Sequence, residues 1–460
     1  MYLGIDIGST SVKSVVLDVG RQKGYVLGRR ESPGPGRERE PHSCRIPAEK
    51  YYELVSGLLE EAMGMGYTVE GIIFSTQMHG FVLGDTYVSW QDTSCLKKNP
   101  DGISYLDELK EKISREDIRR TGVYLKPSLG LCNLYAILGE GNQGREEEIF
   151  TLGSYLIHRL TGRNCCHITN AAPWGLVDLE TKDWDPELLR KLSFDRMRFP
   201  EIAREDTQVC GSFFCQGKEI KVFPDYGDQQ VSVLGCGADC GDVIINAATA
   251  AQIIFMGDTE GRRWAPAGEI RPYFENTCYL TVSNMPSGRN LEVIAQFIQE
   301  TVEYITGETY SNLRILEKMA LAGQMGYGKS DGLAADIRFY PLPGWDRGGS
   351  ITGITGENLH IAQAAYAVYE NMADTYWKTI RETTAASQVK GIVFAGGVLW
   401  NTPVLCEIIR GKTGKPCRFS GGKDEVFYGL FRIACCLAEP GIALKDTGYG
   451  TLRLERGGDL

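Results

Sequence analysis

The sequence predicts an α/β protein made of two similar halves, and three observations support that class. Strand-like alternation and helix-like periodicity take turns along the 460 residues. The opening stretch "LGIDIGSTSVKSVVLD" predicts two strands joined by a small polar turn, and "GDVIINAATAAQIIFMG", from Gly241, repeats that plan. Between Lys390 and Ala438, the order strand, "GG", helix, strand, helix is typical of parallel connections. We therefore predict two domains of like fold, 1–236 and 237–460.

The elements after the first hairpin alternate in type. "RRESPGPGRERE" predicts a loop, and "PAEKYYELVSGLLEEAM" predicts a helix opened by Pro47. A strand "GIIF", a polar loop "STQMHG", a run "FVL" and a strand "YVSWQD" follow. Helices are expected at "EEEIFTLGSYLIHRL" and "DWDPELLRKL", where Asp185 suits a cap, and later at "NLEVIAQFIQETVEYI" and "IAQAAYAVYENMADTYWKTI".

Composition narrows the function classes. Hydrophobic residues make up 43% of the chain, which is enough for packed cores. A net charge of -10 without a lysine or arginine block argues against a general nucleic-acid binder. Runs such as "GLFRIACCLA" are too short to span a bilayer, and no leader pattern precedes "MYLGIDIG", so we expect a cytoplasmic protein. The cysteines are scattered without a C-x-x-C pair, which favours reduced thiols over a zinc site.

The first hairpin carries polar residues that suit phosphate and metal binding. Gly4, Asp6 and Gly8 lie on the strand face opposite the apolar side chains. The turn that follows offers backbone N–H groups, hydroxyls and an amine to phosphate oxygens, through Gly8, Ser9, Thr10, Ser11 and Lys13. Asp6 could then hold a hydrated divalent cation. The alternative is an ordinary hairpin with Asp6 at a solvated edge.

The loop "STQMHG" follows the end of a predicted strand. Gln77 and His79 can make directional hydrogen bonds to hydroxyl groups, and Met78 lies between them. The alternative is a surface loop in which His79 has no role.

"FPDYGDQQVSVLG" places a carboxylate beside a glycine ahead of an apolar run. Asp228 in that position can act as a general base for a hydroxyl. Helix capping by Asp228 is an alternative that is compatible with catalysis. Asp225, after Pro224, is a rival that spacing alone does not eliminate.

"FAGGVLWN" predicts a strand that ends in two glycines and leads to a helix. Gly396 and Gly397 would let a ring or a phosphate approach the backbone, and Asn401 could hydrogen-bond to it. Many strand-to-helix turns carry such glycines for packing alone.

Taken in order, "GIDIGSTSVK", "QMHG", "WQD", "GDQQ", the threonine-bearing second hairpin and "AGG…N" resemble the FGGY carbohydrate kinases of the actin-like ATPase superfamily. The resemblance covers essentially the whole chain. It implies two ribonuclease-H-like domains around a central cleft, with sugar bound mainly by the first domain and ATP mainly by the second.

The resemblance also implies roles for matching residues. Asp6 corresponds to the acid that organises the catalytic Mg²⁺, and Asp228 to the catalytic base. The sugar contacts would be Gln77, Met78, His79, Trp90, Asp92 and Asn170, which opens "NAAPWG". The nucleotide contacts would be the residues of the first hairpin turn with Thr249, Gly288, Gly396, Gly397 and Asn401.

The implied reaction is transfer of the γ-phosphoryl group of ATP to a ketose. "QMHG", "NAAPWG" and "RPYF" resemble sedoheptulokinases, and xylulose or another ketopentose is the alternative substrate. A relative that binds sugar without phosphorylating it, and an ATPase of the same superfamily without a sugar, are further alternatives. Dimers are common among relatives of this family, so we expect a monomer or a homodimer, and the sequence does not identify an interface.

Four departures from the family pattern stand out. Ser94 takes the place of a common arginine, and Ala248 that of a glycine before the threonine. A "GER" segment is missing, with "PLPGWDRGG", from Pro341, in its region, and "PSGRN", which contains Gly288, replaces a glycine-rich turn. Because alanine does not adopt positive φ easily, we expect the second phosphate loop to be altered.

Overall fold

The computed structural model describes residues 1–35, 41–139, 146–257, 268–340, 348–384, 386–448 and 451–458. The strands are β1 (Tyr2–Ile7), β2 (Ser11–Asp18), β3 (Lys23–Glu31), β4 (Arg45–Pro47), β5 (Gly71–Thr76), β6 (Phe81–Leu83), β7 (Thr86–Val88), β8 (Ile149–Phe150), β9 (Cys165–Cys166), β10 (Val177–Asp178), β11 (Asp183–Trp184), β12 (Glu201–Ile202), β13 (Gly211–Cys215), β14 (Lys218–Gly227), β15 (Asp242–Ala247), β16 (Ala251–Met256), β17 (Gly268–Pro272), β18 (Cys278–Met285), β19 (Ala334–Asp336), β20 (Ser350–Thr352), β21 (Gly391–Ala395), β22 (Cys417–Phe419) and β23 (Arg453–Arg456).

The helices are α1 (Glu49–Gly64), α2 (Tyr105–Lys112), α3 (Arg115–Thr121), α4 (Gly130–Gly139), α5 (Leu152–Thr161), α6 (Ile168–Ala171), α7 (Pro186–Lys191), α8 (Asp228–Gly235), α9 (Gly288–Thr306), α10 (Asn312–Met325), α11 (Ile361–Thr383), α12 (Gly397–Asn401), α13 (Pro403–Thr413) and α14 (Glu425–Ala438). Among these helices, none combines the length and the apolar character needed to cross a membrane.

The chain forms two compact units. Unit 1 contains Met1–Gly237, Arg271–Thr277 and Asp424–Leu460, and unit 2 contains Ala238–Ile270 and Cys278–Lys423. This grouping differs from the predicted division into 1–236 and 237–460, because two later segments belong to unit 1. The reason is packing: Phe274 and the apolar side chains of α14 lie in one buried cluster with Val15 and Leu17 of β2.

A seven-stranded sheet lies at the centre of unit 1, in the order β13-β14-β5-β1-β2-β3-β23. β1, β2 and β3 are antiparallel neighbours, whereas β5 runs parallel to β1 and β14 runs parallel to β5. Leu3, Ile5 and Ile7 are fully buried on one face of β1, in a core that includes side chains of α1. On the other face, a Cβ atom at Gly4 would lie 3.1 Å from Leu430, so the glycine lets α14 pack close to the strand.

The central sheet of unit 2 has the order β17-β18-β16-β15-β21-β22. β15 pairs antiparallel with β16, and β16 with β18, while β21 runs parallel to β15 and β22 parallel to β21. Its core contains apolar side chains of the strands together with side chains of α11 and α13, among them Tyr369, Met372 and Leu405. The second hairpin and the parallel strands predicted after residue 390 are confirmed.

Local sequence signals explain several of the element boundaries. The predicted cap at Asp185 is confirmed, since its carboxylate accepts hydrogen bonds from the first backbone N–H groups of α7. Ile149–Phe150, expected in a helix, forms the short strand β8 instead, and the strand expected at "YVSWQD" is confined to Thr86–Val88. Of the predicted loop "RRESPGPGRERE", the first three residues end β3, and 36–40 lie outside the described residues.

Candidate active site

Asp6 lies in the middle of the unit 1 sheet, with a neighbour on each side. Its Cα pairs with that of Lys13 on β2 and with that of Ser75 on β5. The Ser75 hydroxyl donates a hydrogen bond of 2.9 Å to Asp6 Oδ1. Burial raises the pKa of Asp6 to about 6, against the opposing effects of the Ser75 hydrogen bond and the Lys13 charge, and the negative charge of Asp424 raises it further. A half-buried carboxylate of this kind is suited to a cation partner.

Lys13 is held by a residue far away in sequence. Its Nζ lies 3.0 Å from Oδ1 of Asp424, which directly precedes α14. Lys13, predicted to bind phosphate, is therefore ion-paired to the residue before α14, a helix that packs in the unit 1 core. Asp424 is also a neighbour of Asp6, which the sequence did not reveal.

The turn between β1 and β2 presents its polar groups outward. The Gly8 N–H donates to Ser11 O at 3.1 Å, and the Ser32 hydroxyl donates to Gly8 O at 2.6 Å, which fixes the ends of the turn. Ser9 and Thr10 are exposed, whereas Ser11 is buried. Thus the tip of the turn offers hydroxyl and N–H groups to solvent or to a ligand.

Asp228 is the first residue of α8, and the helix is capped by the preceding glycine, Gly227. The capping role considered for Asp228 is therefore wrong, and its Oδ1 accepts a hydrogen bond of 2.7 Å from the N–H of Gln229. Burial raises the pKa of Asp228 to about 7, the negative charge of Asp6 raises it further, and Arg271 opposes both effects. Asp228 and Asp6 consequently belong to one electrostatic site, and the Asp228 side chain retains partial exposure.

The rival carboxylate, Asp225, is fully buried in a network of protein donors. Oδ2 accepts hydrogen bonds from Thr151 Oγ1 at 2.6 Å and from Asn170 Nδ2 at 2.8 Å, and Oδ1 accepts from the His167 N–H at 3.2 Å. Asn170, predicted as a sugar contact, is itself fully buried and also donates to Thr76 Oγ1. The structure therefore places Asn170 and Asp225 behind the accessible surface, as supports of the strand ends.

The loop after β5 directs three side chains toward different neighbours. Gln77 is buried, and its amide donates to Tyr51 at 3.5 Å. Met78 is packed against the backbone of Gly227, where an added Cβ atom would lie 2.8 Å from the Met78 sulfur. His79 has a positive φ of 69°, and its Nδ1 lies 2.7 Å from the carbonyl oxygen of Pro173. Met78 thus lies next to the start of α8, and His79 lies beside Pro173.

The "WQD" motif divides into an exposed ring and a buried acid. Trp90 is 37% exposed. Asp92 is fully buried, and its carboxylate accepts hydrogen bonds from the N–H groups of Cys44 at 2.8 Å and Ser94 at 2.9 Å. Asp92 therefore shapes the turn, and Ser94, which replaces the family's arginine, takes part in that same turn.

Unit 2 brings its predicted nucleotide contacts together around the second hairpin. Thr249 is exposed in the turn between β15 and β16, and its carbonyl oxygen accepts the Arg289 N–H at 2.8 Å. Gly288 opens α9 and donates to Ala248 O at 3.0 Å, and a Cβ atom there would lie 2.7 Å from the same oxygen. This turn is therefore held by the start of α9, which explains the need for glycine at position 288 of "PSGRN".

The end of β21 approaches the same hairpin. Gly396 has a φ of 83°, and a Cβ atom there would lie 2.6 Å from Asn246 Oδ1. Gly397 and Asn401 are exposed at the two ends of the short helix α12. The region of the missing "GER" segment includes 341–347, which lie outside the described residues.

The carboxylates of this region suit a metal ion that binds together with phosphate groups. Across the part of the chain that the structure describes, no group of three or more histidine, cysteine, aspartate or glutamate side chains could enclose a metal ion. Mg²⁺ does not need such a cage, because it is usually held by one or two carboxylates, phosphate oxygens and water. Asp6 fits that pattern as a single carboxylate.

Three residues of this region were missed as site residues: Ser75, Asp424 and Arg271. Asp424 is 411 positions from Lys13, so no local pattern could link them. Arg271 opens "RPYF", and a lone arginine beside apolar residues in a strand pattern is a signal that could have identified it. Its Nη2 lies 3.5 Å from His79 Nε2.

Comparisons with known proteins identify the family of this chain. The profile of the FGGY family of carbohydrate kinases, N-terminal domain, matches residues 1–242. Sedoheptulokinase of Mus musculus is 26% identical over 349 residues, which cover 66% of this chain and 69% of that protein.

Two solved structures share the fold. The ligand-bound xylulose kinase of Lactobacillus acidophilus superposes with a TM-score of 0.80 at 18% identity, covering 98% of this chain and 91% of that one. Plasmodium falciparum glycerol kinase with ADP superposes with a TM-score of 0.79 at 15% identity, covering 99% and 94%. The predicted α/β class and actin-like ATPase fold are thereby confirmed. Because the family profile spans more than half of the 460 residues, the chain belongs to the FGGY family of carbohydrate kinases and is a sugar phosphotransferase.

Proposed function

We propose that this kinase transfers the γ-phosphoryl group of ATP to a terminal hydroxyl of a ketose, with sedoheptulose as the first candidate. The similarity to sedoheptulokinase and the strings "QMHG" and "NAAPWG" support that acceptor. Xylulose is the second candidate, since the xylulose kinase of Lactobacillus acidophilus shares the fold over nearly the whole chain.

The observation that carries the proposal is the pair of carboxylates at the start of α8 and in the middle of β1. Asp228 keeps partial exposure and has a pKa raised to about 7, so it can exist as a carboxylate and accept a proton near neutral pH. It would take the proton of the acceptor hydroxyl as that oxygen attacks the phosphoryl group. Asp225 is a poorer candidate, because protein donors already occupy both of its oxygens.

The first hairpin is proposed to receive the phosphates of ATP. Ser9 and Thr10 lie at the exposed tip, Gly8 begins the turn, and Lys13 supplies a positive charge behind it. Asp6 would hold Mg²⁺, which when bound supplies positive charge that neutralises the phosphate oxygens. In unit 2, Thr249, Gly288, Gly396, Gly397 and Asn401 surround the second hairpin, and we assign them to the nucleotide.

The acceptor side is proposed to consist of Met78, His79 and Trp90. Gln77, Asp92 and Asn170 are buried and bonded to protein groups, so we assign them to positioning the strand ends and turns that carry the contacts. Hydrogen bonds from such supporting side chains fix the geometry on which phosphoryl transfer depends.

A sugar-dependent assay of ADP release tests the proposal. The protein is given Mg–ATP with a panel of ketoses, aldoses and polyols, and we expect turnover to be fastest with sedoheptulose. Release of ADP at the same rate without any sugar would contradict the proposal and favour an ATPase.

A pair of variants tests the base. Asp228→Asn is expected to lower kcat by about 10²–10⁴ while ATP still binds. Asp225→Asn is the matched control, because it is a neighbouring acid whose burial raises its pKa to about 7 as well. Assayed on the folded protein, the control should lose much less kcat than Asp228→Asn, because Asp225 supports the strand ends and does not touch the acceptor. The reverse ranking of the two variants would make Asp225 the base.

A further inference from the structure

An apolar surface lies on α9, α10 and the start of α11 in unit 2, where α10 packs against both of the other helices. Six large apolar side chains there are 59% to 92% exposed. We call them the α9–α10 patch: Phe297, Tyr304, Ile305, Leu321, Met325 and Ile361. If a fully exposed large side chain presents roughly 200 Å², the patch presents on the order of 800 Å² of surface. The largest apolar patch of a typical monomer is about 300–600 Å², so this one points to a partner.

A groove of about 260 Å³ opens on the same helices. Its apolar lining includes Ile298 of α9, Ile315 and Met319 of α10, and Ile361 of α11. Ile315 and Met319 are buried whereas Ile361 is exposed, so the groove leads from the patch into the packing between the helices. An apolar cavity of about 150 Å³ is large enough for benzene, so this groove has room for an aromatic side chain.

The side chains that could fill such a groove protrude from the neighbouring side of α9. Phe297 and Tyr304 lie on one side of the helix, because they are separated by two helical turns, and they are 69% and 92% exposed. Ile298 and Ile305 each follow one of them directly and lie on the adjacent side. One helix pair therefore presents protruding aromatic side chains together with an apolar groove. A surface that contains both members of a complementary pair can bind a copy of itself about a two-fold axis.

The charges around the patch are complementary as well. Glu300 and Glu303 are exposed on α9, and the sequence has no lysine or arginine from position 290 to 313. The groove, in contrast, is lined by Arg314 and Lys318 in addition to its apolar side chains. Packing α9 against α9 of a second copy would bring acids together, whereas packing α9 against the groove brings acids to cations. The charges therefore favour the arrangement in which the aromatic side chains face the groove.

We propose that the α9–α10 patch is the interface of a homodimer, in which Tyr304 of each copy fills the groove of the other and Phe297 packs beside it. Arg314 and Lys318 then face the acids of α9. An area on the order of 800 Å² from each copy matches what each partner contributes to a standard protein–protein interface. Tyrosine is also among the side chains that most often anchor such interfaces. The inference goes beyond the proposed function and does not depend on it.

Sedimentation equilibrium of the full chain through the micromolar range tests the dimer. We expect the parent protein to be a dimer with a Kd in the micromolar range or below. Tyr304→Asp should raise that Kd about 100- to 1,000-fold, because the two-fold symmetry removes the anchor from two places at once. Phe214→Asp is the matched control, since Phe214 is 76% exposed on the strand β13 of unit 1, outside the patch. Its Kd should stay within about threefold of the parent value.

A charge exchange tests the orientation without placing a charge in the groove where Tyr304 packs. Glu300→Lys and Lys318→Glu should each raise the Kd about 5- to 10-fold, because each puts like charges opposite one another. The variant that carries both substitutions should return to within about threefold of the parent, since the opposite charges face each other again. Circular dichroism and thermal melting check that every variant is folded.

A parent protein that stays monomeric at every concentration would overturn the inference. In that case, titration with dodecanoate tells whether the groove instead takes an amphipathic anion, which its two cations also suit. A dimer whose Kd responds equally to Tyr304→Asp and Phe214→Asp would have its interface elsewhere, which overturns the inference too. Additive losses in the doubly substituted variant would contradict the proposed orientation.

Discussion

The two hairpins at the centres of the two units have the same plan but different chemistry. β1 and β15 each have six residues with one burial pattern, and in both the fifth residue is the partly exposed one near the turn. In β1 that residue is Asp6, paired across the hairpin with Lys13 and on the other side with Ser75. In β15 it is Asn246, paired with Gln252 and with Ala395.

The difference shows that the hairpin does not require charge. An amide pair occupies the position in unit 2 that an acid and a lysine occupy in unit 1, with the same strand order around it. The raised pKa of Asp6 means that its ionised form is disfavoured in the folded protein. A charge that the fold neither needs nor favours points to a functional role in the first hairpin.

Among the tests of this comparison, the largest expected effect comes from making the first hairpin resemble the second. Asp6→Asn keeps an acceptor for the Ser75 hydroxyl but removes the charge proposed to hold Mg²⁺. We expect kcat to fall by about 10²–10³, as when other electrostatic stabilisers of a transition state are removed. The assay is sugar-dependent ADP release, with Asp18→Asn at the far end of the same hairpin as the control. If the turnover of Asp6→Asn stays within about twofold of that of the parent, the charge of Asp6 has no functional role in the first hairpin.

The pH dependence of kcat/KM should report the two carboxylates. The pKa values are raised to about 7 for Asp228 and about 6 for Asp6, so lowering the pH through this range protonates first the base and then the metal-binding acid. We expect kcat/KM to fall about tenfold per pH unit below about pH 7, and more steeply below about pH 6. Stopped-time ADP assays from pH 5 to pH 9 measure this, and a flat profile down to pH 5 would contradict it.

The stability of the second hairpin and its binding of ATP should depend on Gly396, which lies against it. Gly396 has a positive φ, and a side chain there would meet Asn246, so Gly396→Ala should destabilise the protein by about 1–3 kcal/mol and raise the ATP KM. Gly356→Ala, in the same unit, is the control, because a Cβ atom at Gly356 meets no other atom within 4 Å and Gly356 is not among the residues assigned to the nucleotide. Chemical denaturation and ATP titration of both variants give the result. Similar losses in both would mean that the close approach is not the cause.

The smallest effect concerns stability. The pKa of Asp6 is raised to about 6 in the folded protein, above its value of about 4 in an unfolded chain. Above pH 6 the ionised Asp6 therefore lowers the free energy of unfolding by its full amount. This loss disappears as the pH falls toward 4, because Asp6 is then protonated in both states. Asp6→Asn should therefore be more stable than the parent by about 1 kcal/mol at pH 7, with no difference near pH 4. Urea unfolding at the two pH values checks this sign, and an equal difference at both would argue against it.

Local patterns in the sequence predicted the strands, helices and caps that depend on neighbouring residues. Alternation located both hairpins, periodicity located α9 and α11, and the cap of α7 followed from Asp185. The apolar pair Ile149–Phe150 fitted a helix equally well and formed a strand, because its partners on β6 lie more than sixty positions away. The helix that begins at Asp228 showed why a capping residue and a first-turn residue are hard to tell apart from spacing.

The parts that could not be predicted depend on distant packing. No sequence window connects Lys13 with Asp424 or His79 with Arg271, and only the folded core brings these residues together. For the same reason, the strings around Asn170 and Asp92 indicated sugar contacts but did not reveal that both side chains would be buried.

The central claim is that Asp228 accepts the proton of a sugar hydroxyl as that oxygen attacks the γ-phosphoryl group of ATP. Its most direct test is phosphorus NMR of the reaction mixture with sedoheptulose and Mg–ATP. The account predicts that a sugar phosphomonoester signal grows in step with ADP in the parent protein and is nearly absent with Asp228→Asn. Growth of inorganic phosphate in place of the phosphomonoester, or an undiminished phosphomonoester signal in the variant, would contradict it.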